Sequence, residues 1–62
     1  MSINEQYQEK IAGLVQALGS LRKVAASLGI HHSTLMHRVN HAKTIKREHL
    51  LALEGLEQRL AR

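Results

Sequence analysis

Residues 21–40 read LRKVAASLGIHHSTLMHRVN, and the constraints in that string are geometric. Leu21, Val24, Ala25 and Leu28 fall on one face of a helix of about two turns. Gly29 ends it, because glycine accepts the left-handed conformation of a tight turn without steric cost. Ile30 plugs the corner. Leu35 and Val39, one turn apart, then form the inward face of a further helix that finishes at Asn40. Ala25 stands where the two helices cross closely, so that a larger side chain would push them apart. The spacing predicts a short helical hairpin.

Outward from the hairpin the pattern stays helical. Ile3, Tyr7, Ile11, Leu14 and Leu18, with Val15 beside them, make the apolar stripe of a first helix, and Glu5, Gln6, Glu9, Lys10 and Gln16 face away. Gly19 stops that helix and Ser20 caps the next by accepting a backbone N–H. After the hairpin, Thr44 is a good N-cap for a last helix running towards Ala61. Its stripe is Ile45, His49, Ala52, Leu53, Leu56 and Leu60, widened by Leu50 and Leu51. Proline is absent, Tyr7 is the one aromatic residue, and good helix formers dominate. The expectation is an all-α, four-helix domain spanning residues 1–62, with short connections and no repeat or linker.

A chain of 62 residues buries a core that is marginal by itself. With no cysteine for disulfides or thiolate metal sites, a second copy of the chain is the natural source of added stability, and a homodimer is expected. No apolar run approaches the roughly 20 residues that cross a bilayer, and the start MSINEQYQEK is unlike a secretory signal. A cytoplasmic protein without membrane contact is expected.

The net charge of +4 is unevenly spread. Residues 1–20 and residues 48–62 each balance at −1, whereas residues 21–47 hold Arg22, Lys23, Arg38, Lys43, Lys46 and Arg47 and no acid, which makes +6. His31, His32, His37 and His41 lie in the same stretch. A run of 27 residues without one carboxylate suits a polyanion better than it suits an ordinary solvated face. Unperturbed imidazoles titrate near about pH 6.5, so acidification is expected to raise that charge further.

The pattern A-x-x-L-G-I-x-x-x-T-L-x-x-x-V, carried by Ala25, Leu28, Gly29, Ile30, Thr34, Leu35 and Val39, resembles the helix-turn-helix of bacterial and phage regulators, most nearly the Fis and NtrC type. The motif covers about a third of the chain, and a further helix follows it here, whereas Fis-type motifs usually lie at the C-terminus. Stand-alone repressors of phages and mobile elements, including those that accompany anti-CRISPR genes, are similar in size and build. The resemblance implies that the third helix is a recognition helix set in the major groove of double-stranded DNA. Its outward residues, His31, His32, Ser33, Met36, His37 and Asn40, are then the base readers. Asn40 can pair with adenine N6 and N7, Met36 can touch a thymine methyl, and Ser33 and the imidazoles can bond guanine or thymine acceptors. Phosphate contacts fall to Ser20, Arg22, Lys23, Thr34, Arg38, Lys43, Lys46 and Arg47.

The expected dimer interface is Leu50, Leu53, Gly55, Leu56 and Leu60, with Gly55 a candidate point of close helix approach. The reading that results is a homodimeric transcriptional repressor on an inverted repeat, with half-sites about 34 Å apart. Two alternatives stand beside it: a helical module that binds RNA or a protein, and a non-specific architectural DNA-binding protein. No cofactor and no catalysis are expected, since the chain lacks cysteine and aspartate and is too small for a sheltered pocket with a base and its orienting acid. His37 and His41 have the i, i+4 spacing of metal ligands, but two ligands make a weak site and no metal is expected.

Overall fold

The computed structural model describes residues 2–61, apart from the side chain of Ala42. Within them the chain forms α1 (Ile3–Leu18), α2 (Leu21–Leu28), α3 (His32–Asn40), a single 3-10 turn (Ala42–Thr44) and α4 (Arg47–Leu60), with no strand. None of the described helices is long and apolar enough to cross a membrane.

Each boundary has a local cause. Ser2 opens α1, its hydroxyl accepting from Glu5 N at 3.2 Å. Gly19 closes it at φ 103° while its N–H donates to the Val15 carbonyl. Ser20 opens α2 by accepting from Lys23 N at 3.2 Å, and Gly29 closes it at φ 76°. Both glycines hold left-handed backbone that a Cβ would strain. Ile30 N then donates back to the Ala25 carbonyl at 3.1 Å, which tightens the turn into α3.

One core joins the four helices. Tyr7, Ile11 and Leu14 from α1 meet Val24 and Ala25 from α2, Leu35 from α3, Ile45, and Leu50, Leu53 and Leu56 from α4. Ile3, Val15, Leu18, Leu21, Leu28, Ile30 and Val39 pack half-buried around them. α1 spans the molecule and touches both α2 and α4, while α3 is held chiefly by α2 and by the 3-10 turn. Polar links tie α1 outward: Lys10 Nζ lies 3.0 Å from Glu57 Oε1 on α4, and Gln8 Nε2 donates to the Val39 carbonyl of α3 at 2.8 Å.

The last helix departs from its expected form. Thr44 is not its N-cap: the Thr44 hydroxyl donates to the His41 carbonyl at 2.7 Å, closing the 3-10 turn, and the N-cap is Lys46, two residues later, with α4 beginning at Arg47. The Lys46 backbone N–H donates to His49 Nδ1 at 3.1 Å. That is half of a reciprocal capping pair, and the other half cannot form because an ammonium has no lone pair to accept with. Ile45 therefore precedes the helix, and the apolar stripe turns to Leu50, Leu53 and Leu56. Ala52 and Leu60, expected inward, are exposed, and His49 sits half-buried at the edge.

The same shift revises the expected dimer face. Leu50, Leu53 and Leu56 keep 5%, 0% and 3% of their surface. Side chains consumed by the chain's own core have nothing left to offer a second copy, so these three are core residues. Gly55 is exposed, and a Cβ built on it meets nothing within 4 Å. It marks no close helix crossing within the chain.

Candidate nucleic-acid interface

α3 contributes one fully buried side chain, Leu35, from nine residues. At about 3.6 residues per turn, Ser33, His37 and Asn40 line up at i, i+4 and i+7 on the face opposite Leu35. All three are exposed. Met36, 44% exposed, lies on one flank of that strip and Thr34, also exposed, on the other. His32 is half-buried, turned towards the Val39 side of the helix. It is thus the base-reading candidate with least surface to offer.

His31 precedes the helix as its N-cap. Its Nδ1 accepts from Ser33 N at 3.2 Å and lies 2.7 Å from Ser33 Oγ. Since Nδ1 is already an acceptor, the Ser33 hydroxyl is the donor in the second contact. Both side chains are thereby partly committed to starting α3. What they keep for a partner is the far edge of the His31 ring and a Ser33 lone pair. The His31 and His32 rings lie 5.2 Å apart, and the His37 and His41 rings 4.3 Å apart with a 33° tilt. No third carboxylate or imidazole joins either pair as a metal would need, among the described residues.

The residues expected at phosphate divide into three groups. Arg22 and Lys23 are exposed in the first turn of α2, where Ser20 is half-buried and occupied as its cap. Lys43 is exposed on the 3-10 turn, with Lys46 and Arg47 exposed at the entry to α4. Arg38 differs from all of these, being half-buried with its guanidinium beside the Tyr7 hydroxyl. Burial pushes the Tyr7 hydroxyl above its ordinary pKa, and the hydrogen bond and positive charge of Arg38 offset part of that rise.

Arg38 also faces a cleft of about 450 Å³, lined by Ser33, Thr34, His37 and Arg38 from α3, Thr44 from the 3-10 turn, and Lys46 and His49 at the start of α4. Burial holds the His49 imidazole below its ordinary pKa, reinforced by the charges of Arg38 and Lys46 and opposed by Glu48. The neutral ring is the form the cap requires, because Nδ1 must carry a lone pair to accept from Lys46 N. Sequence reading placed Thr44 at a helix cap and His49 in an apolar stripe. No periodic signal marks either as a wall of this cleft, since both arrive there through the 3-10 turn.

Comparison with family models, with curated proteins and with solved structures gave no match.

Proposed function

We propose that this chain is a sequence-specific DNA-binding transcriptional regulator, a repressor that works as a homodimer on an inverted repeat. The observation that carries the reading is the outer face of α3. Ser33, Met36, His37 and Asn40 are exposed there and are not needed for packing, on a helix pinned by Leu35 at 0% exposure. They offer an amide, an imidazole, a hydroxyl and a thioether, which is the chemistry that reads base edges in a major groove. The flanking stretch of residues 21–47 supplies six cations and no carboxylate, the charge that positions a protein on phosphates.

In this reading α2, the Gly29 turn and α3 act as a helix-turn-helix, with α3 as recognition helix. Arg22 and Lys23 approach the backbone on one side, Lys43, Lys46 and Arg47 on the other. Dimerisation falls to the apolar surface that α4 leaves outside the core, Leu51 at 55% and Leu60 at 45% exposure.

Selection from random duplex DNA by the purified protein, at about physiological salt, tests the reading. Enrichment of an inverted repeat with half-sites about one turn apart, 34 Å, is expected. No enrichment, with only salt-sensitive general binding, overturns the sequence-specific reading in favour of an architectural protein. No duplex binding at all turns it towards an RNA or protein partner.

A further inference from the structure

The cleft between α3 and the entry to α4 has a composition that selects its ligand. None of its seven lining residues is aliphatic and none is a carboxylate. Its polar atoms are donors and cations held on a partly apolar wall of methyls, methylenes and ring carbons, a combination that suits an anion carrying an organic body. The ion pair among the described residues joins Lys10 to Glu57, and the contact of Glu48 is with the neutral His49 ring, so neither involves Arg38 or Lys46. Glu48, beside His49 in the chain, is 3.9 Å from His49 Nε2 with its side chain 74% exposed. The two cations therefore face the cleft without a protein counter-charge.

The hydroxyls sort by what they have left to give. Thr44 already donates to the His41 carbonyl, and Ser33 to His31 Nδ1. Thr34 and the His37 ring have no such commitment within the cleft, and they complete a set of donors around Arg38 and Lys46. The Arg38 guanidinium also neighbours the Tyr7 hydroxyl. The open cleft has room for a body behind the charge, as in a nucleotide.

We propose that this cleft seats one phosphate ester, with Arg38 and Lys46 as counter-charges and Thr34 and His37 as hydrogen-bond donors. The proposal deepens the DNA-binding reading and, for a backbone phosphate, rests on it. It moves His37 from base reading to phosphate binding. The ester has two possible sources, a duplex backbone or a free nucleotide, and the same chemistry recognises both.

The test is a titration of the ¹⁵N-labelled full chain with thymidine 5′-monophosphate at constant ionic strength, followed by addition of duplex DNA. Saturable shifts confined to Thr34, His37, Arg38, Thr44, Lys46 and His49 are expected. Lys46→Gln removes one counter-charge from an exposed position and should weaken nucleotide binding about tenfold, as loss of a charge-assisted hydrogen bond does. Arg59→Gln, the same charge change on an exposed residue near the far end of α4, should leave it within about twofold.

Displacement of the nucleotide by duplex identifies the backbone as the source. Duplex binding that leaves the nucleotide in place identifies a free nucleotide-type ligand. Shifts spread evenly over all basic residues without saturation overturn the proposal, as does equal weakening by the two variants. Selection from random DNA reports separately: an enriched operator with a silent cleft sinks the phosphate seat alone, and a saturable cleft without an operator sinks the DNA reading alone.

Discussion

α1 and α4 spend their residues on the fold, and α3 does not. α1 and α4 each close three side chains into the core, Tyr7, Ile11 and Leu14 on one and Leu50, Leu53 and Leu56 on the other, and Lys10 and Glu57 join them across the surface. α3 commits Leu35. A helix of nine residues is too short to persist alone in water, so α3 exists because Leu35, the α2 turn and the His31 cap hold it. Val39 and Arg38 pack half-buried beside Leu35, and the outer face that carries Met36, His37 and Asn40 is left exposed. The difference separates the part of the molecule that stores stability from the part that presents chemistry.

The contrast is most exposed to test at Leu35. Truncating a fully buried leucine costs about 2–5 kcal/mol, comparable with all that a core of this size supplies. Leu35→Ala should therefore be largely unfolded by circular dichroism at room temperature. Met36→Ala, one residue on, should shift the urea midpoint by an amount equivalent to about 0.5 kcal/mol or less. Equal losses from the two would break the contrast, because α3 would then be held by its outer face as well.

A smaller effect is expected at the corner that aims α3. Gly29→Ala places a Cβ on left-handed backbone at φ 76°, with nothing within 4 Å to collide with it. The cost is conformational alone, about 1–2 kcal/mol, and should appear as a lower urea midpoint with helix content retained. On the opposite side of the comparison, Gly55→Ala adds a methyl to the exposed face of α4 in open space. It should raise stability by up to about 1 kcal/mol, the helix-propensity difference. A fall in dimer affinity by sedimentation would instead put Gly55 against the second copy.

The smallest effect concerns the joint between the two regions. The His49 imidazole has its pKa lowered in the fold, so between that depressed value and the ordinary one, about 6.5, the unfolded chain binds more protons than the folded one. Stability from the cap is complete above the unfolded value and is lost as pH falls through the folded one. The melting temperature should drop as pH is lowered from 7.5 to about 5. His49→Gln, which can accept from Lys46 N without titrating, should flatten that slope. An unchanged slope would mean that the cap does not depend on the neutral ring.

These outcomes bear on what the sequence made legible. The boundaries at Gly19, Ser20 and Gly29 were readable because each rests on a residue type with one local function, a left-handed stop or a hydroxyl cap; α3 ends at Asn40 as expected but without a left-handed stop, His41 following at φ −128°. The start of α4 was not. Thr44 is the better N-cap by type, yet its hydroxyl closes a 3-10 turn, and the cap in use is an imidazole reaching back to Lys46. That two-residue offset left Ile45 ahead of the helix, and Leu50, expected at a dimer face, closes into the core beside Leu53 and Leu56. On α3 the outward strip followed from one buried residue and the helical period. The cleft did not, because Arg38, Thr44, Lys46 and His49 belong to three elements whose meeting depends on that same turn.

The hydrogen bond from Gln8 to the Val39 carbonyl bears on how such a protein can change over time. It grips α3 by its backbone, near the end farthest from the Gly29 turn, and is indifferent to which side chains α3 displays. With the helix held at both ends by groups that do not take part in display, the residues at 36 and 40 can drift without refolding anything beneath them. The scaffold is in that sense a handle with a replaceable bit: lineages that kept Gln8, Gly29 and Leu35 could acquire a new target through a few substitutions on one exposed strip.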